Sequence, residues 1–207
     1  ELRQHQKAIG YFERSADELE KVTDTENENF QIRYLITHMN LMKSYGELDR
    51  LDDARKELLK LEKCSQGIVN EMYRYSYLTL KSRLYWNIGE KEYVYEHLDE
   101  LIKGGIDDSN AADYIEDVSD LCGLLKDMQE FDKWKRVILA FEQHAKKQNS
   151  IYYEMILNEM WLDYYKELGD NEQYVKLCIH YVDVAQQQKK ADNEERACAI
   201  DLKIELQ

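Results

Sequence analysis

Proline is absent from the 207 residues, and glycine occurs only 8 times. Average usage of about 5% would give roughly ten prolines. A chain without the helix-breaking ring, and with few glycines, reads as nearly unbroken helix joined by tight turns. Long apolar runs are also missing. No stretch of about 18 apolar residues occurs, so no transmembrane helix is predicted. Cysteine is sparse: Cys64, Cys122, Cys178 and Cys198 stand far apart, with no CxxC pair and none of the short spacings of a secreted disulfide framework. Cys122 and Cys178 fall where helices should pack, and a thiol there behaves as a small apolar group. A reduced, cytoplasmic setting is the expectation, and the lack of an Asn-x-Ser/Thr sequon agrees with it.

Positive charge is in deficit. There are 28 Lys and Arg against 42 Asp and Glu, a net charge of −14 at pH 7. Phosphate neutralisation needs clustered excess cations, so general nucleic-acid binding is excluded, and docking on an anionic membrane with it. With 43% hydrophobic and 11% aromatic residues the chain is not of disordered composition. It opens on Glu1 without a signal-peptide pattern, and is expected to be a piece of a longer polypeptide.

Catalytic patterns are lacking as well. The five histidines, His5, His38, His97, His144 and His180, form no HExxH or HxxxH pair. No GxGxxG, Walker-type or GxSxG loop occurs, and the acidic runs at 49–53 and 26–28 lack the spacing of an EF-hand loop. No catalytic residue, metal ligand or cofactor is assigned from the sequence.

What is present is a period. Four segments superimpose: Tyr45-Gly-Glu-Leu48-Asp-Arg, Tyr85-Trp-Asn-Ile88-Gly-Glu, Leu125-Lys-Asp-Met128-Gln-Glu and Tyr165-Lys-Glu-Leu168-Gly-Asp. The spacing is constant, 88−48 = 128−88 = 168−128 = 40. Such self-similarity marks stacked supersecondary units, each segment being the turn of a helical hairpin. The predicted pairs are 28–48 with 51–65, 68–88 with 91–103, 109–128 with 130–148, and 150–168 with 171–189. An orphan helix runs to about Lys21 and a last one from Asp192 to Gln207. By unit this gives 1–22, hairpins 28–66, 68–105, 108–148 and 150–189, and a terminal helix 191–207, in one solenoid domain. Thr25 or Asn27 should cap the second helix. Gly67, Gly89, Gly104-Gly105 and Gly169 are placed as helix stops. Asp107, Asp108, Ser109 and Ser150 are placed as N-caps, with Glu154 in capping-box register.

Apolar residues recur at three to four positions through each pair, as buried helix faces require. Leu41, Tyr45, Leu48, Ala54, Leu58 and Leu61 correspond to Leu121, Leu125, Met128, Trp134, Ile138 and Phe141. Trp161, Tyr165, Leu168, Tyr174, Cys178 and Tyr181 follow at the same spacing. A hairpin cannot bury both of its faces alone, so neighbours must stack.

This pattern resembles the tetratricopeptide repeat, lengthened to 40 residues. The matching positions are the aromatics before the turn (Tyr45, Tyr85, Tyr165), Ile-Gly-Glu at 88–90, Leu-Gly-Asp at 168–170 and the small Ala54. Trp134 and Tyr174 depart from the small residue, and the repeat-terminal Pro is absent. The resemblance implies an all-α, right-handed superhelix of stacked antiparallel hairpins, with HEAT-like or other α-solenoids as the alternatives. It further implies a groove lined by the first helix of each pair. By register that face presents Met39, Lys43 and Glu47, then Thr79, Arg83 and Trp86, then Ser119, Lys126 and Asp127, then Glu159, Asp163 and Lys166. Lys43, Arg83, Lys126 and Lys166 with Trp86 are the candidate groove residues, a cationic row suited to an acidic peptide or to a partner's carboxylates. Only Asn40 and Lys43 approach the Lys/Asn set with which members of the family hold a C-terminal carboxylate, so that clamp is not expected. The tyrosine pairs at helix starts (Tyr73 to Tyr77, Tyr152 and Tyr153) are read as packing residues.

The tail from Ala191 turns apolar at Ala197, Ile200, Ile204 and Leu206, a stripe that wants a partner, a second copy of the chain included. It resembles the repeat region that precedes a diguanylate cyclase domain in bacterial signalling proteins. The implied function is non-catalytic protein or peptide binding in the regulatory region of such a protein. The alternatives are a stand-alone peptide-sensing regulator, resembling the Gram-positive quorum-sensing type, and a passive scaffold.

Overall fold

The structure, a computed structural model, describes residues 2–23, 25, 27–64, 71–106 and 115–205. Every regular element among them is helical: α1 Leu2–Leu19, α2 Glu28–Glu47, α3 Leu51–Cys64, α4 Glu71–Asn87, α5 Lys91–Ile106, α6 Ile115–Asp127, α7 Phe131–Gln148, α8 Ile151–Leu168 and α9 Asn171–Glu205. None of these is long and apolar enough to cross a membrane. The chain divides into two compact units, Glu1–Gly104 and Gly105–Gln207.

The 40-residue period is written into the backbone. Asp49, Gly89, Gln129 and Gly169 are left-handed, with φ of 57°, 88°, 59° and 75°. After each, the next amide reaches back five residues: Arg50 N to Tyr45 O at 2.9 Å, Glu90 N to Tyr85 O at 2.9 Å, Glu130 N to Leu125 O at 3.0 Å and Asp170 N to Tyr165 O at 3.0 Å. The left-handed residue itself donates three residues back, to Gly46, Trp86, Lys126 and Lys166. These paired bonds satisfy carbonyls that a helix end leaves open and reverse the chain in one step. In the first turn the Arg50 guanidinium also lies 4.5 Å over the Tyr45 ring.

In the first unit α2 packs on α1, α3 and α4, and α3 on α4. Ile9 and Ala16 of α1 meet Leu41, Met42 and Tyr45 of α2, Ala54 and Leu58 of α3, and Leu84 of α4 in one apolar cluster. Asn27 caps α2, its side chain accepting from the amides of Asn29 and Phe30. The core holds a buried polar pair, His38 Nδ1 and Glu57 Oε2 at 2.5 Å, with Lys60 donating to the other carboxylate oxygen at 3.1 Å. Burial pushes the Glu57 carboxyl up, but the His38 and Lys60 hydrogen bonds outweigh it and hold the group below its ordinary value. Lys81 of α4 threads between the rings of Tyr77, Tyr85 and Tyr93 toward Glu62 at 2.7 Å. Burial opposes the charge there, yet the Glu62 bond and the tyrosines raise its pKa.

In the second unit α7 packs on α6 and α8, α8 on α9, and α6 on α8. Val118, Leu121, Leu124 and Leu125 of α6 and Trp134, Val137, Ile138 and Phe141 of α7 are buried.

Three expectations are corrected. Gly104-Gly105 does not stop α5, which runs through to Ile106. Gly104 is instead an approach point, since a Cβ there would stand 2.5 Å from Cδ2 of the Tyr75 ring. The predicted helices 171–189 and 192–207 are one 35-residue helix, α9, because nothing in Lys189-Lys190-Ala191-Asp192 breaks a helix. Ser150 does stand at the N-cap of α8 with extended backbone, but the capping box is not formed: its side chain makes no capping bond, and Glu154 turns to His180 at 3.0 Å rather than back to Ser150. Gly67 and the caps at 107–109 lie outside the described residues.

Candidate functional site

The second unit contains a hollow of about 490 Å³ between α6, α8 and α9. It arises because Gly123 and Ser119 leave little bulk on α6, while α9 brings Tyr174 and Tyr181 from the other side. Trp134 and Cys122 line it from within. The Trp134 ring is locked edge-on against Tyr164 at 5.2 Å and tilted against Phe131 at 6.3 Å. Burial pushes the Cys122 thiol up to about 12, the Trp134 indole N–H easing it slightly, so the sulfur is an inert apolar wall and no nucleophile.

The charged lining comes from α8. Glu159, Asp163 and Lys166 are exposed and occur at one-turn spacing. Tyr181 donates its hydroxyl to Glu159 at 2.7 Å, tying α9 to α8. That bond, with burial second, raises the tyrosine's pKa. Lys126 of α6 reaches Glu167 at 3.2 Å and Asp163 at 3.9 Å. The hollow therefore has an apolar, aromatic interior and a charged rim already held in place. Such a surface selects a shape and a charge pattern.

A second hollow, about 750 Å³, opens beside α7, α8 and the opposite flank of α9. Asn158 lies in its wall at 4% exposure with its Nδ2 unpartnered, and the Glu154–His180 pair crosses its rim. Among the described residues no group of three His, Cys, Asp or Glu could hold a metal ion.

The predicted groove residues divide between the units. Lys166 lines the first hollow, and Lys126 meets its rim through Asp163. Ser119, Glu159 and Asp163 of the same predicted face are there too. Lys43, Arg83 and Trp86 belong to the first unit, all half-buried. Trp86 sits at the α4–α5 turn, with the Lys91 ammonium 4.3 Å over its ring and Tyr95 edge-on at 6.4 Å. Met39 and Thr79 are not groove residues. Met39 packs with Leu35 and Leu61, and Thr79 is fully buried. Register carried from a shorter repeat turns these two positions toward neighbouring helices. Tyr174 and Tyr181 were read as seam residues only. They line the hollow because α9 packs along α8 with that face turned toward α6.

No family model, curated protein or solved structure matches this chain.

Proposed function

We propose that this chain is a non-catalytic protein- or peptide-binding module built as a tetratricopeptide-like superhelical array, and that it forms the cytoplasmic regulatory region of a larger bacterial signalling protein. The observation that carries the reading is the hollow between α6, α8 and α9, which joins a rigid aromatic interior to a rim of Glu159, Asp163 and Lys166. Binding sites of this kind combine apolar depth with a few fixed polar groups. The four repeated turns support the array, since each delivers two antiparallel helices in the same geometry. α9 supports the signalling role. Its 35 residues make a rod of about 50 Å. A ligand touching Tyr174 and Tyr181 holds one end of that rod, and differential affinity for two rod positions would convert occupancy into a signal.

The test is a random-peptide display selection against the chain and against Ser119→Trp, which fills the mouth of the hollow from an exposed position. The proposal expects enriched binders whose affinity falls at least about tenfold with the variant. Arg83→Glu/Lys126→Glu tests the cationic residues in the same way. Binders indifferent to Ser119→Trp would remove the hollow as the site, and a selection without binders would remove the module reading.

A further inference from the structure

The repeat register singles out one buried amide. His38 of α2 and Glu57 of α3 form the buried pair of the first unit. Two repeats on, since 118−38 = 137−57 = 80, the same positions hold Val118 and Val137, both fully buried. One repeat further, since 158−118 = 177−137 = 40, they hold Asn158 of α8 and Leu177 of α9. The first pair sets polar against polar, and the second sets apolar against apolar. The third sets an amide against a leucine, and both line the second hollow. Asn158 is only 4% exposed, and its Nδ2 has no hydrogen-bond partner. A buried donor left in this way costs free energy that an acceptor would recover.

The hollow, about 750 Å³, opens where α7 and α9 both pack on α8 without packing on each other. That volume lies within the roughly 300–1,000 Å³ of ligand sites and far exceeds the roughly 30 Å³ share of a single water. We propose that it binds a small uncharged aromatic amide, whose carbonyl oxygen accepts from Asn158 Nδ2 and whose ring lies against Trp161. Trp161 supplies a fixed flat wall. Its half-buried ring is stacked on Tyr165 at 5.3 Å, with 17° between the planes, and stands edge-on to Tyr164 at 5.6 Å. Leu157 and Leu177 add apolar surface. The charged groups of the lining are already engaged, Lys146 with Glu142 at 2.5 Å and His180 with Glu154 at 3.0 Å. An anion would meet two carboxylates, and a cation would have to displace Lys146 or His180, so a neutral ligand is favoured. Both bonds use Oε1, which leaves each carboxylate a second oxygen. Glu154 stands one turn before Asn158 on the same face of α8. A donor and an acceptor so placed match the carbonyl and the N–H of an amide. The site occupies the flank of α9 opposite the first hollow and takes another class of ligand, so it goes beyond the peptide-binding reading.

The test titrates the intact, isotope-labelled chain with benzamide, benzoate and toluene, following the assigned Asn158 side-chain amide by heteronuclear NMR. Benzamide carries the ring, the carbonyl and the N–H. Benzoate exchanges the amide for a charge, and toluene keeps the ring alone. Benzamide should shift the Asn158 side-chain resonance saturably, with a dissociation constant on the order of 1 mM or below. Benzoate and toluene should bind at least about tenfold more weakly, and Asn158→Leu should weaken benzamide by a similar factor. Saturating benzamide that leaves the Asn158 side chain unmoved overturns the proposal. Equal binding of toluene or benzoate, or unchanged affinity in Asn158→Leu, overturns it too. So does the absence of benzamide binding at about 10 mM, which would leave the amide satisfied by water alone. The wild-type resonance and the ranking of the three probes decide the matter even if Asn158→Leu fails to fold.

Discussion

Gln129 and Gly169 occupy the same position in two turns of the second unit, and exchanging their residue types should shift stability in opposite directions. Both are exposed, with φ of 59° and 75°. A Cβ at Gly169 would meet nothing within 4 Å, so the effect there is conformational and not one of packing. A side chain in the left-handed region costs roughly 1–2 kcal/mol. Glycine gives back about 0.4–1 kcal/mol through the greater freedom of the unfolded chain. The net expectation is that Gln129→Gly stabilises by about 0.5–1 kcal/mol and Gly169→Ala destabilises by a similar amount. Urea denaturation followed by circular dichroism measures both, compared as midpoint shifts at constant slope. Shifts of the same sign in the two variants would refute the claim that these turns are one repeated geometry. Asp49→Gly should gain less than Gln129→Gly, because Asp tolerates the left-handed region better than Gln.

Three further outcomes follow from the packing. Gly104→Ala should destabilise by about 1–2 kcal/mol, because overpacking against the Tyr75 ring exceeds the helix-propensity gain. Gly46→Ala, with open space around it, should stabilise by about 0.5–1 kcal/mol, and equal gains at both sites would disprove the close approach. Glu57 has its carboxyl held below the ordinary value of 4.5, so the stability it contributes is present above that value and lost as pH falls through the folded one. Acid titration of unfolding should therefore be flatter below pH 4.5 in Glu57→Gln, and an unaltered profile would show that the pair contributes nothing. Cys122, its thiol pushed up to about 12, should resist iodoacetamide at pH 8 until urea unfolds the chain, whereas prompt labelling at Cys122 itself in the native protein, read by peptide mass spectrometry, would contradict its burial.

Local signals in the sequence proved readable where one residue decides the geometry. The spacing of the turns placed the helix ends on either side of the four turns to within one residue, and Asn27 marked the start of α2. The turn backbone repeats even where glycine does not, at Asp49 and Gln129, since the flanking helices impose the chain reversal. Other features depend on what meets across space. Gly104 reads as a stop until the Tyr75 ring is seen above it, because a helix-interior glycine and a terminal one look alike in sequence. Asp192 reads as the start of a separate helix, yet α9 passes through it, since no residue nearby forces an end. The hollow was half legible. Ser119, Glu159, Asp163 and Lys166 share a register, but Tyr174 and Tyr181 join them through the packing of α9 on α8, which register alone does not show. Met39 and Thr79 show the limit of register carried from another repeat length, since a few residues of drift rotate a side chain from groove to core.

The most direct measurement is amide hydrogen exchange of the chain with and without a display-selected binder. If the hollow receives the partner, protection should increase in residues 159–166 of α8 and 174–181 of α9. Saturating binder with unchanged exchange in both segments would contradict the assignment of the site.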